Sequence, residues 1–192
     1  MEKFTKAKKT ETQEIKQEIK DIAYKGNNIQ VRTQGDCEFV LDRDVVIILP
    51  YMKTEGYILL RSEILPPYQW RYKTTNKFLT SISGGIEPGE TVDAAIRREL
   101  YEESGIVLNQ FYQLSVEGPF FQTKSSASVY YTCLLELNFN DYKQVMPPGD
   151  GSQAEKLART IKLSLGDVDE IICNDMMTKY MLTKLKMEYN IK

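Results

Sequence analysis

The chain has 192 residues, with 25 Lys and Arg against 27 Asp and Glu, a formal charge of −2, and 42% hydrophobic residues. That is the length and mix of one ordinary soluble domain, and so small a net charge gives no global field to hold nucleic acid or an anionic membrane. Histidine is absent, which excludes a Ser-His-Asp or Cys-His pair, a histidine-ligated zinc and an imidazole base, and leaves catalysis to carboxylates, Lys, Tyr, Cys, Ser or a bound metal.

The opening MEKFTKAKKT has no apolar core of signal-peptide length, and the longest apolar stretch, 45–52, is strand-sized. A cytoplasmic protein with no membrane partner is expected. Cys37, Cys133 and Cys173 lie far apart without CxxC spacing, so reduced thiols are the default. Residues 1–21 read as a polar, solvated arm and 22–192 as one domain. Short β-like runs follow at 22–24, 29–32, 37–41, 45–52 and 57–65, the last two joined by the turn Lys53-Thr54-Glu55-Gly56. A strand is expected at 78–82, then a glycine-rich turn at 84–89 feeding a helix over 91–104, with Gly105 as its C-cap. Strands at 111–116, 127–138 and 158–165 come next, with a surface loop at 147–151. Two closing helices are expected, over 167–173 and 175–189, the second capped by Asn174. This order predicts an α+β sandwich rather than a doubly wound parallel sheet.

On the helix at 91–104, an advance of about 100° per residue puts Val92, Ala95, Ile96, Glu99, Glu102 and Glu103 on one face and Arg97, Tyr101 and Ser104 on the other. Three carboxylates therefore share the apolar stripe. Their i, i+3, i+4 spacing makes them converge, and like charges that close need a cation or a proton; hard oxygen donors suit Mg²⁺ or Mn²⁺. On helix geometry alone, an exposed acidic last turn accounts for the pattern equally well.

Gly84, five residues, Glu90, seven residues, then Arg98-Glu99-Leu100-Tyr101-Glu102-Glu103-Ser104-Gly105-Ile106 resembles the Nudix hydrolase signature at every fixed position. The resemblance implies a Nudix-like α/β/α sandwich with a mixed β-sheet and additional N-terminal strands. It also implies metal-dependent hydrolysis of the pyrophosphate bond in a nucleoside diphosphate linked to another moiety. On the same resemblance Glu99 and Glu103 bind Mg²⁺ or Mn²⁺ directly, Glu102 binds directly or through water, and Ser83 joins the ligand set. Arg98 then orients the carboxylates, with Glu90 as its partner, and Gly85 lets the backbone approach the diphosphate.

The run 45–66, and the strands before it, are similar to the ADP-ribose pyrophosphatase branch of that family, whose N-terminal strands commonly build a homodimer. Gly118-Pro119-Phe120 resembles that branch's proline-containing loop. Two charged positions of the branch are replaced, by Ile64 and Thr80, which widens the expected substrate from ADP-ribose to another nucleotide sugar, a dinucleotide or NADH. The general base of the branch lies on an acidic loop, for which 149–155 is the counterpart; Glu155 is the first candidate and Asp150 the second. Trp70, Tyr68, Tyr72, Phe120 and Phe121 are candidate platforms for the nucleobase, each equally readable as packing. The methionines at 176, 177, 181 and 187 read as core or interface filler. The rival readings are a non-catalytic Nudix-fold nucleotide sensor, which typically loses the glutamates retained here, and an enzyme acting on capped RNA. For the latter only Lys3, Lys6, Lys8 and Lys9 speak, so nucleic acid is not expected as a partner.

Overall fold

A computed structural model describes residues 20–26, 29–151, 156–171 and 173–189; the expected arm lies outside these residues up to position 19. Strands β1 (Lys20–Lys25), β2 (Gln30–Gln34) and β3 (Cys37–Leu41) form an antiparallel sheet in that order. Val40 ties it to the body, donating its N–H to the Ser125 carbonyl at 2.8 Å and accepting from the Ala127 N–H at 2.9 Å.

β4 (Val45–Met52) and β5 (Tyr57–Glu63) are the expected hairpin, closed by Gly56 at φ 73°. The main sheet runs β12 (Arg159–Ser164), β5, β4, β10 (Val129–Glu136), β9 (Val116–Phe121). β6 (Phe78–Thr80) pairs with β5, and β7 (Ile82–Gly85) pairs with β4. β4 and β10 are parallel and the remaining pairs antiparallel, so the sheet is mixed. β8 (Ile106–Leu108) and β11 (Tyr142–Gln144) form a separate two-stranded ladder.

β4 is apolar without alternation because both its faces are covered. Val46, Ile48 and Met52 pack with Ala95, Ile96 and Leu100 of helix α2 (Val92–Ser104) on one side. Ile47, Leu49 and Tyr51 pack with Met177, Met181, Leu182 and Leu185 of the C-terminal helix (Met176–Tyr189) on the other. This is the α/β/α sandwich. Truncating a core side chain such as Ile96, fully buried between α2 and the sheet, costs about 2–5 kcal/mol. Among the described residues no helix is long and apolar enough to cross a membrane.

Several local expectations are corrected. A seven-residue helix, α1 (Pro66–Tyr72), follows β5 in a stretch for which no element was expected; proline is tolerated in a first helical turn, whose N–H groups need no intrahelical partner. We number the C-terminal helix α3. The strand expected over 78–82 splits at buried Ser81, where the chain changes partner from β5 to β4. No strand occupies 111–115; instead β8 precedes and β9 follows. Gly118-Pro119-Phe120 is not a loop but part of β9, an edge strand, where a proline removes no central ladder bond. The helix expected over 167–173 is only a 3-10 turn, Leu165–Asp167. α3 is capped by Asp175, not Asn174: its Oδ2 accepts from the Thr178 N–H at 2.8 Å. Met177 and Met181 are core, whereas Met176 and Met187 are exposed.

Candidate active site

The site is assembled where β7 ends. Its register against β4 sets Ser83 opposite Ile47 and Gly84 opposite Val46. The chain then turns through 86–90 and enters α2 at Thr91, whose Oγ1 accepts from the Ala94 N–H at 3.2 Å. Glu99 and Glu103, one helical turn apart, point back at β7 and are each only 8% exposed. Glycine is required at 84 for that approach: a Cβ there would stand 1.9 Å from Glu99 Oε1.

Arg98 gathers the acids. Its Nε and Nη2 donate to the two oxygens of Glu90, each at 2.9 Å, a bidentate fork. Nη1 donates to Glu99 Oε1 at 2.5 Å and Glu102 Oε2 at 3.3 Å, and Nη2 also reaches the Gly85 carbonyl at 2.9 Å. The hydrogen bonds from Arg98 hold the Glu90 carboxyl below its usual range. Burial pushes Glu99 upward, opposed by Arg98. The carboxylates raise the guanidinium of Arg98 further, Glu90 first. Expected pairing of Arg98 with Glu90 is thus observed.

The other end of the cluster rests on Arg61 of β5, 2% exposed. Its Nε lies 3.4 Å from Glu103 Oε2, and its Nη1 donates to the Glu103 carbonyl at 3.0 Å. Thr160 Oγ1 of β12 donates to that same carbonyl at 2.7 Å, and the Ser83 N–H donates to Glu103 Oε2 at 3.3 Å. The last carbonyls of α2 are all occupied. Tyr101 accepts from Gly105 N–H (2.9 Å), Glu102 from Gly149 N–H (3.0 Å) and Ser104 from Gln144 Nε2 (2.6 Å). Gly105, at φ 71°, is the αL cap, and a Cβ there would stand 2.0 Å from the Val145 carbonyl oxygen. The loop after β11 is therefore laced to the helix end and sets Asp150 beside the glutamates. Ser104, expected on the outer face, is buried by this loop and donates its Oγ to the Leu100 carbonyl at 2.5 Å.

These residues enclose a cavity of about 390 Å³ whose lining has five acidic side chains (Glu87, Glu99, Glu102, Glu103, Asp150) and two basic ones (Arg43, Arg98). Among the described residues no three acidic or thiol side chains form a ready-made metal cluster, and Arg98 is bonded to Glu90, Glu99 and Glu102. The donor chemistry nonetheless fits a hard divalent cation: oxygen ligands only, an excess of negative charge, and in Glu99 a buried carboxylate that arginine alone leaves with a raised pKa.

The NUDIX domain model matches residues 41–159, more than half of the chain. The chain belongs to the Nudix family. It is a Nudix pyrophosphohydrolase, and α2 is its Nudix helix. No curated protein is similar enough in sequence to count as a match. Among solved structures it is similar to the crystal structure of an ADP compounds hydrolase, at 18% identity and a TM-score of 0.64, over 88% of this chain and 91% of that one. At that identity the likeness is one of fold.

Of the residues singled out from the sequence, Ser83, Gly85, Arg98, Glu99, Glu102, Glu103 and Asp150 line the one Nudix cavity. Pro119 and Phe120 do not; they lie on the edge strand β9, Phe120 edge-on to Tyr180 at 6.2 Å. Trp70 is also elsewhere, on α1, 71% exposed under Lys73 Nζ at 4.6 Å. Glu155 lies outside the described residues. Arg61, Arg43 and Thr160 were not anticipated. For Arg61 a signal was present, since a lone charge inside the apolar run YILLRSEIL must be paired if that strand is buried.

Proposed function

We propose that this Nudix enzyme hydrolyses the pyrophosphate bond of ADP-ribose or a related ADP-sugar, giving AMP and a sugar phosphate. The observation that carries the chemistry is the convergence of Ser83, Gly85, Arg98, Glu99, Glu102, Glu103 and Asp150 on one acidic cavity. Glu99 and Glu103 would hold Mg²⁺ or Mn²⁺ directly, with Glu102 and Ser83 completing the set. When bound, the ion supplies charge neutralisation for the diphosphate and a water of lowered pKa.

The chain's own residues do the rest. Arg98 keeps three carboxylates aligned and screens their repulsion. Gly84 and Gly85 let the substrate's diphosphate approach the strand end. Arg61 fixes the far end of the cluster through Glu103. A loop acid, Glu155 or Asp150, takes the proton from the attacking water.

Support for an ADP compound comes from the resemblance of 45–66 to the ADP-ribose branch and from the similar fold of a protein described as an ADP compounds hydrolase. The nucleobase is assigned to Pro119, Phe120 and Trp70 through a homodimer built on the β1–β3 sheet, where Ile22 and Tyr24 are exposed. Three free cysteines, Cys37 at the surface, agree with a cytoplasmic enzyme.

The test is a panel of ADP-ribose, other ADP-sugars, NADH, dinucleoside polyphosphates, nucleoside triphosphates and capped RNA, with Mg²⁺ and with Mn²⁺, products resolved by chromatography. AMP and ribose 5-phosphate from ADP-ribose are expected. Preference for triphosphates or capped RNA over every ADP-linked compound would overturn the substrate assignment. Sedimentation of the Tyr24→Asp variant tests the assembly; a dimer of undiminished affinity would remove the N-terminal sheet from the interface.

A further inference from the structure

A second, larger cavity of about 630 Å³ also has Glu103 in its lining. The two share that side chain. The 149–151 turn is the partition between them, Gly149 and Gly151 facing the larger cavity and Asp150 the acidic one. Its floor is apolar, from Met52, Tyr57 and Leu59. The pairing of β12 with β5 sets Thr160 opposite Arg61 and Lys162 opposite Leu59, so the alternation of side chains brings Lys162 to the cavity wall beside Arg61. Lys156 and Arg159 complete a cationic rim. Arg61 is engaged by Glu103. Among the described residues Lys156, Arg159 and Lys162 have no acidic partner, and Lys162 Nζ rests 4.2 Å over the Tyr57 ring.

We infer that this cavity receives the substrate group beyond the diphosphate and selects for one that carries an anionic group of its own. The inference rests on the hydrolase reading above and names its substrate class more closely. The acidic cavity has room for the diphosphate and its counter-charge but repels any further anion. The adjoining cavity, within the range of about 300–1,000 Å³ usual for small-molecule sites, has the reverse character: an apolar floor for a ring and three cations for a phosphate. A substrate spanning Glu103 would place its diphosphate against the glutamates and a phosphorylated sugar or nucleoside against Lys156, Arg159 and Lys162. A neutral ribose would leave that rim unused.

The experiment compares ADP-ribose, ADP-ribose 2′-phosphate and ADP-ribose 1″-phosphate, by calorimetric binding to the full chain and by steady-state hydrolysis. At least one phosphorylated compound is expected to bind about tenfold more tightly than ADP-ribose, with the gain in KM rather than kcat, since one charge-assisted contact is worth roughly that factor. Which compound gains tells which end of the substrate enters the cavity. In a Lys156→Ala, Lys162→Ala double variant the preference should shrink to within twofold, whereas Lys186→Ala, on α3 and paired with Asp169, should retain it. Equal binding of the three compounds, no binding of any, or a preference that survives the double variant would overturn the inference. Charge preference in binding without hydrolysis of any ADP compound would leave this site standing and overturn the hydrolase substrate; hydrolysis of ADP-ribose without charge preference would do the opposite.

Discussion

The Glu99 carboxylate lies so close over Gly84 that the three atoms nearest to a Cβ at that residue would be Oε1, Cδ and Oε2 of Glu99, at 1.9, 2.0 and 2.4 Å. The obstacle is the free end of a flexible side chain, which can swing aside without moving backbone. Gly84→Ala is therefore expected to fold, with a melting temperature within about 4 °C of the parent. It should lose about 10²-fold or more in turnover, the scale on which a displacement of about 1 Å is felt. Circular dichroism and a hydrolysis assay on the same preparation check this. Activity within threefold of the parent would show that Glu99 needs no fixed position.

Crowded carboxylates repel, and on that ground alone Glu103→Gln would stabilise the protein. Buried Arg61 reverses the sign. With Nε 3.4 Å from Glu103 Oε2 and both side chains nearly excluded from solvent, neutralising Glu103 removes counter-charge from a buried cation. A glutamine still offers an oxygen, so a loss of about 1–3 kcal/mol is expected, together with a fall of at least about 10²-fold in turnover. Urea unfolding measures the first and initial rates the second; a stabilised Glu103→Gln would show that Arg61 is not balanced by this residue.

Two loop acids are candidates for the base. Asp150 follows Gly149, whose N–H is bonded to Glu102, and so sits fixed beside the glutamates; Glu155 is five positions further along. Glu155 is the first candidate on the resemblance of 149–155 to the acidic loop of the ADP-ribose branch. Glu155→Gln should lower kcat by about 10²–10⁴-fold with KM little changed, and Asp150→Asn should do less. The reverse ranking would make Asp150 the base.

Burial pushes the Cys133 thiol up to about 12 and raises Cys173 as well, whereas Cys37 is exposed on β3. Since the thiolate is the reactive species, an alkylating reagent at about pH 8 should modify Cys37 first and Cys173 more slowly. Cys133 should react only after denaturation. Mass spectrometry of timed samples reads the order, and early labelling of Cys133 would contradict its place between the sheet and α2.

Elements whose signals were local were legible. The Gly84–Gly105 segment has a glycine at each end for a stated steric reason, and its glutamates sit on a face that would otherwise be apolar. The β4–β5 hairpin declared itself through two apolar runs about a Gly56 turn. What was hidden depended on distant chain. The partner change at Ser81 cannot be read from FLTSISGG, because it reflects where β5 ends and β4 begins beside it. Asp175 wins the cap from Asn174 because Thr80 and Thr178 converge on its carboxylate. Thr80 thus serves the α3 cap at a position where the ADP-ribose branch has a charge. For Arg61 the run YILLRSEIL shows that a buried charge needs a partner, but which partner depends on α2 ending above it.

Helix ends fray, and at the C-terminus the last four carbonyls have no intrahelical partner. In α2 three of them are held from outside the helix, that of Glu103 by β5 and β12, that of Ser104 by Gln144 and that of Glu102 by Gly149, so that end is expected to open only when two strands and a loop open with it. Amide exchange in the final turn of the helix is thereby expected to follow unfolding of the whole sheet rather than local breathing. The turn that carries Glu102 and Glu103 is then expected to lose its alignment only when the domain itself unfolds.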